Sequence, residues 1–259
     1  MKVIILAGGY GTRLEELTAN IPKPMVKIGP YPILHHIMNI YSSFGYNEFI
    51  LALGYKSEVI KDYFLNYKNL MSDLSIDFSS GDIVVHNSSP NNWKVHLVDT
   101  GQDTQTGGRV KRLQEWVGNE PFMLTYGDGL SNVDIEQLVA FHKSHGKIAT
   151  VTAVRPSARF GNLAIESTQV QTFAEKTQTN EGWINGGFFV FEPEVFDYIS
   201  GDDMPLEKHP LEHLTRDREL HAYKHDGFWQ SMDTVREVTL LRELWHKDKA
   251  PWLRHLSLI

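Results

Sequence analysis

The chain has no cysteine among its 259 residues. That excludes a disulfide framework, a thiolate metal site and a thiol nucleophile together. Basic residues are in short supply as well: 25 Lys and Arg stand against 32 Asp and Glu, a net charge of −7. General binders of nucleic acid or of anionic membrane surfaces carry a basic face, so neither partner is expected, although a local basic pocket fits the same balance. Long apolar runs are missing too. The opening run ends at Ala7 before Gly8, too short for a secretion-signal core or a membrane span. The expectation is a soluble protein of a reducing compartment, most simply the cytoplasm.

What is present alternates between two periods. Lys2–Ala7 and Glu48–Leu53 are continuous apolar runs that suit strands buried on both faces. Phe122–Tyr126 and Ile148–Val154 read the same way. Between them, Ile33–Phe44, Ser57–Tyr67 (with Ser57 as cap) and Asp134–His145 carry helical spacing, and Val235–His246 closes the pattern. Strands alternating with helices predict an α/β fold with a mixed, mostly parallel central sheet flanked by helices. Asn162–Glu166, Val170–Glu175 and Ile184–Phe191 follow one another closely and predict a small added antiparallel region. No linker or repeat divides the chain. It reads as one domain over 1–259, with halves of about 1–130 and 131–259.

The first strand runs into Gly8-Gly9-Tyr10-Gly11-Thr12-Arg13. A dinucleotide fingerprint would need a third glycine where Leu14 stands and an acid after the second strand, where Leu53-Gly54 stand. The Gly-Lys-Ser/Thr of a P-loop and the partner motifs of a kinase are missing as well. What remains is a glycine turn whose backbone can approach an anion, a guanidinium fork at Arg13, and Lys23 constrained between Pro22 and Pro24. Each piece alone is equally compatible with an ordinary turn and solvated charges.

Together the pieces resemble the signature of the sugar-1-phosphate nucleotidyltransferases: LAGGYGTRL followed by PKPM. The likeness continues in order through Tyr126-Gly127-Asp128-Gly129, Glu175-Lys176, Asn185-Gly186-Gly187 and Trp229–Thr234. It implies a Rossmann-like nucleotidyltransferase fold. Leu6, Ala7, Gly8, Gly9, Tyr10, Gly11, Thr12 and Arg13 would hold a nucleoside triphosphate, with Lys23 stabilising charge at its α-phosphate. Arg13, Lys23 and Asp128 would be the catalytic residues, with Asp128 also on the nucleotide. Lys176, Asn185 and Gly186 would hold the sugar phosphate. Asp128 and Asp233 would bind the metal. Two lone carboxylates suit Mg²⁺, which keeps several waters and shares phosphate oxygens.

Asp128 alone is also a common turn residue. Asp233 could cap a helix, but Thr234 and Glu237 form a capping-box pair that takes over that role. His142 and His145 lack the acidic partner of a zinc-binding helix motif and read as surface residues. The stretch NWKVHLVDTGQDTQTGGRVKRL resembles the cytidylyltransferase branch of the family. That branch implies CTP and α-D-glucose 1-phosphate as substrates, a place in deoxysugar and O-antigen synthesis, and roles for Thr104 and Arg109 at the triphosphate. Gly107-Gly108 is also readable as a plain turn, and Arg109 as part of a solvated basic helix face. Relatives are commonly homo-oligomers. One departure stands out: Thr177 follows Lys176 where the family carries proline. Tyr126 and Trp229 suit stacking on a ligand or packing equally.

Overall fold

The computed structural model describes residues 1–87, 91–156, 162–166, 169–174 and 182–253. The opening apolar run forms strand β1 (Val3–Leu6). Its alternate side chains enter two separate cores: Val3 and Ile5 on one face, Ile4 and Leu6 on the other. All four are buried, and each side chain so covered contributes roughly 1.5–3 kcal/mol. The other strands of this sheet are β2 (Glu48–Leu53), β3 (Lys94–Asp99), β4 (Phe122–Tyr126), β5 (Ala149–Val154), β6 (Ile184–Phe191) and β7 (Leu220–His225). Their spatial order is β7-β5-β6-β4-β1-β2-β3. Strands from both halves of the chain therefore share one sheet. Only β6 runs against its neighbours; the remaining pairings are parallel.

Helices cover both faces. On the Val3/Ile5 side lie α1 (Ile33–Ser42) and α2 (Ser57–Leu65). The opposite face receives α3 (Thr106–Arg112), through Val110. Helix α4 (Ile135–His145) returns to the first face, α5 (His209–Arg216) to the second, and α6 (Val235–His246) to the first. Gly107 and Gly108 are part of α3, not a free turn. A Cβ on Gly108 would lie 2.6 Å from the main chain of Asp202, so the two segments meet backbone to backbone.

Three expectations are corrected. Ser57 does not cap α2: the capping position is Lys56, in the left-handed region at φ 52°, and no side chain caps the helix. Ile184–Phe191 is no part of a small added region; it is a core strand between β5 and β4, paired antiparallel to both. The added antiparallel region is the pair Asn162–Glu166 and Gln169–Ala174 alone. His142 is not a surface residue. It is 1% exposed and hydrogen-bonds Thr150 and Glu192, while His145 bonds the same Thr150 hydroxyl and stacks on His221. Among the described residues no helix is long and apolar enough to cross a membrane.

A second antiparallel hairpin, Asp73–Ile76 with Ile83–His86, stands apart from the main sheet. It exposes Ile76, Ile83 and Val84, and Phe78 at its turn is 92% exposed.

Candidate active site

From β1 the chain steps outward through β2 and β3, then returns to set β4 on the other side of β1. Open α/β sheets hold ligands beyond the carboxyl ends of the strands at such a reversal. Here a cavity of about 400 Å³ opens at that place.

The glycine loop forms one wall, with Leu6, Ala7, Gly8, Gly9, Tyr10, Gly11 and Thr12 all facing the cavity. The glycines serve different ends. A Cβ on Gly8 would fall 2.3 Å from Nη1 of Arg109, so this glycine makes room for a guanidinium. A Cβ on Gly9 would meet nothing within 4 Å, which leaves that stretch of backbone open to a ligand. Gly11 takes φ 65° and starts the short 3₁₀ turn Thr12–Leu14, to which Arg13 belongs. Left-handed backbone of this kind favours glycine.

Arg109 lines the cavity but spends its guanidinium on the protein. It is 4% exposed. Nη1 donates to the carbonyls of Leu53 and Gly101 and to the Thr100 hydroxyl, at 2.7–3.0 Å. Nη2 donates to the carbonyls of Gly8 and Gln102, each at 3.0 Å. The residue thus rivets the glycine loop to the ends of β2 and β3. In this arrangement it shapes the cavity wall, and both of its Nη atoms already donate to protein oxygens. Thr104 lines the same wall.

Opposite stand the charges. Pro22 and Pro24 hold Lys23 in a short 3₁₀ turn, Lys23–Met25. Its Nζ donates to Asp128 Oδ2 at 2.5 Å and to Asp233 Oδ1 at 2.8 Å. Burial opposes the lysine charge, but the two carboxylates outweigh it and raise its pKa. The aspartates meet for a topological reason. Asp128 precedes Gly129–Ser131, which pairs antiparallel with Trp229–Ser231, two residues short of Asp233. The amide of Met232 also donates to the carbonyl of Asp128 at 2.8 Å.

The capping box of α6 is formed as the sequence predicts. Thr234 accepts from the Glu237 amide, and Glu237 Oε2 accepts from the amides of Thr234 and Asp233. The Asp233 carboxylate has no part in the cap and meets Lys23 at the cavity. Two carboxylates converging on one ammonium form a donor set that fits a divalent cation of the Mg²⁺ kind, with Lys23 standing where a cation sits. No group of three or more acidic or histidine ligands occurs among the described residues.

Asn185 and Gly186 lie on β6, one strand over from β4. The Asn185 amide donates to the Tyr126 hydroxyl at 3.2 Å, and Trp229 Nε1 donates to the Gly186 carbonyl at 2.7 Å. Lys176 lies outside the described residues. From the loop Gln102–Thr106 the sequence reading took Thr104 alone, and it set Tyr126 aside, although the whole loop and Tyr126 line the cavity. The strand before it, Lys94–Asp99, lies at the sheet edge and is only half-buried, so apolar patterning did not mark where the loop begins.

Comparison with known proteins agrees with this geometry. The family model described as "Nucleotidyl transferase" matches residues 2–230. Glucose-1-phosphate cytidylyltransferase of Salmonella typhi is 50% identical over 253 residues, 97% of this chain and 98% of that protein. A probable glucose-1-phosphate cytidylyltransferase of Bacillus subtilis is 45% identical, over 97% of this chain and 99% of its own. Among solved structures, HddC from Yersinia pseudotuberculosis superposes with a TM-score of 0.69 at 24% identity, over 94% of this chain and 99% of that one, a likeness of fold. A glycine loop beside a lysine held between two aspartates, inside a chain matched along nearly its whole length, leaves one assignment: this protein belongs to the nucleotidyl transferase family.

Proposed function

We propose that the protein joins CTP and α-D-glucose 1-phosphate into CDP-glucose, releasing pyrophosphate. The observation that carries this reading is Lys23 held between Asp128 and Asp233 at the cavity, in a chain half identical to glucose-1-phosphate cytidylyltransferases. An oxygen of the sugar phosphate attacks the α-phosphorus of CTP, and the bond to the pyrophosphate oxygen breaks. The nucleophile is already ionised, so positioning and charge stabilisation suffice without a general base.

In this reading the open backbone at Gly9 and the turn through Arg13 receive the triphosphate, with Thr104 beside it. Lys23 stabilises charge building at the α-phosphate. Asn185, Gly186 and Lys176 hold the sugar phosphate. Asp128 and Asp233 would bind Mg²⁺, which would neutralise phosphate charge when bound. The chain acts as one domain, in the cytoplasm, without nucleic-acid or membrane partners, in deoxysugar supply for surface polysaccharide. The exposed apolar hairpin supports a homo-oligomer, whose mass light scattering measures.

The deciding experiment is pyrophosphate release across a panel of nucleoside triphosphates and sugar 1-phosphates. Turnover with CTP and glucose 1-phosphate is expected. Turnover with dTTP or UTP and none with CTP would overturn the base assignment. No turnover with any pair, in folded protein with Mg²⁺, would leave a nucleotide-binding module.

A further inference from the structure

Beside the cavity lies a carboxylate to which neither the motifs nor the proposed chemistry gives a role. Glu207 sits just before α5, in the exposed segment that packs against the start of α3. Its two oxygens are each held by a hydroxyl from a cavity wall. The Tyr126 hydroxyl donates to Oε1 at 2.7 Å, and the Thr106 hydroxyl donates to Oε2 at 2.7 Å. Both donors are themselves fixed. Thr106 accepts from the Leu206 amide at 2.8 Å. Tyr126 accepts from Asn185, whose Oδ1 in turn receives the Gly187 amide at 2.8 Å. The Tyr126 ring lies so close to Gly187 that a Cβ there would come within 2.4 Å of it. Burial, then the charge of Glu207, push the Tyr126 phenol above its usual pKa and keep its proton in place as a donor.

The chain Thr106–Glu207–Tyr126–Asn185 therefore ties the nucleotide wall to the strand assigned to the sugar. A carboxylate offers about four lone-pair positions. Two are occupied here by hydroxyl donors, and Glu207 is exposed to solvent. Negative charge at this spot repels phosphate and attracts further O–H donors. The hydroxyls of a hexose ring are donors of that kind.

We propose that Glu207 is a sugar-recognition residue, whose carboxylate, aligned by Tyr126 and Thr106, accepts hydrogen bonds from hydroxyls of the hexose. This rests on the reading of the site as one for a nucleotide and a sugar phosphate. It adds a specificity-determining residue that lies outside the glycine-loop, lysine and aspartate motifs.

The test compares binding of CDP-glucose and CDP by calorimetry in the wild type, Glu207→Ala and Glu207→Gln. Thermal melting confirms that each variant is folded. In Glu207→Ala the affinity for CDP-glucose should fall about ten- to a hundredfold, the scale of a hydrogen bond to a charged group, while CDP stays within about twofold. Glu207→Gln, which keeps one acceptor, should fall in between. In turnover, KM for the sugar 1-phosphate should rise while KM for the nucleotide holds. Equal weakening of CDP and CDP-glucose would overturn the proposal in favour of a ribose or structural role, and unchanged affinity for both would overturn it outright. The wild-type titrations separately test the underlying reading. If uridine or thymidine ligands bind and cytidine ligands do not, the base assignment fails, and the same comparison with that base still reads the role of Glu207.

Discussion

The ammonium of Lys23 lies 2.5 Å from Oδ2 of Asp128 and shares its charge with Asp233. The lysine therefore offsets one of the two carboxylate charges and would compete with a cation for the pair. Replacing it with Met should have two effects of opposite sign. Without nucleotide, Mn²⁺ should bind the variant more tightly than the wild type, as measured by electron paramagnetic resonance. With both substrates, the rate should drop about a hundredfold or more, the usual loss for one well-aimed charge. Unchanged Mn²⁺ affinity would show that Lys23 does not compete for the pair.

Neighbouring glycines of the loop should respond differently to the same methyl group. In Gly8→Ala the new Cβ collides with Arg109 and with the Gly54 amide, so the free protein should melt at a lower temperature. In Gly9→Ala the methyl meets open space in the free protein. Its melting point should stay at the wild-type value while CTP affinity falls. Equal melting of both variants would remove the distinction between a structural and a ligand-facing glycine.

Arg109→Met would remove one donor from each of the carbonyls of Gly8, Leu53, Gly101 and Gln102. Gly8 and Leu53 keep the amides of Tyr55 and Thr100, and the carbonyls of Gly101 and Gln102 can turn to water, so the loss should total roughly 1–3 kcal/mol. Arg109→Lys should rescue little of it, because a single ammonium cannot span the fork. Urea denaturation measures both. A stability loss near zero, with CTP affinity abolished, would make Arg109 a direct phosphate ligand.

Acid should weaken the fold through the histidines in the last turn of α4. Burial, with neighbouring positive charge, lowers the pKa of both His142 and His145 to about 4, against about 6.5 for the free side chain. Between those values the unfolded chain binds protons that the folded chain excludes, so stability declines as pH drops from about 6.5 to about 4. A titrating histidine adds up to roughly 1.4 kcal/mol per pH unit. In its contact with Glu192, His142 is accordingly a neutral imidazole at pH 7. Urea midpoints at pH 7, 6 and 5 should fall in that order, and His142→Gln should flatten the trend. A midpoint constant over this range would show that the histidines protonate freely within the fold.

The legible parts of the fold were those with a strong local pattern. Glu48–Leu53 and Phe122–Tyr126 carry unbroken apolar runs because they are buried on both faces, and their bounds follow from that. The edge strands Lys94–Asp99 and Leu220–His225 mix Lys and His into half-exposed positions, and apolar counting passes over them. The candidate site divides similarly. Lys23, Asp128 and Asp233 are picked out by the order of the family-like motifs, and flanking prolines, a strand end and a capping box stand beside them. The partnership of Arg109 with five main-chain and hydroxyl oxygens has no sequence signature, since a carbonyl belongs to every residue. Glu207 is hidden for the same reason: its meaning lies in Tyr126 and Thr106, far along the chain.

The lysine–aspartate cluster closes over large distances in sequence, 105 residues from Lys23 to Asp128 and 210 from Lys23 to Asp233. Contacts of that span form late, after the loop-closure entropy of the intervening chain has been overcome. The glycine loop can be in place on β1 long before Trp229–Ser231 docks on Gly129–Ser131. A chain emerging from the ribosome therefore holds half of the site through most of its synthesis. The carboxylate pair closes only once the final helix has its cap, which makes the charged cluster a marker of completed folding.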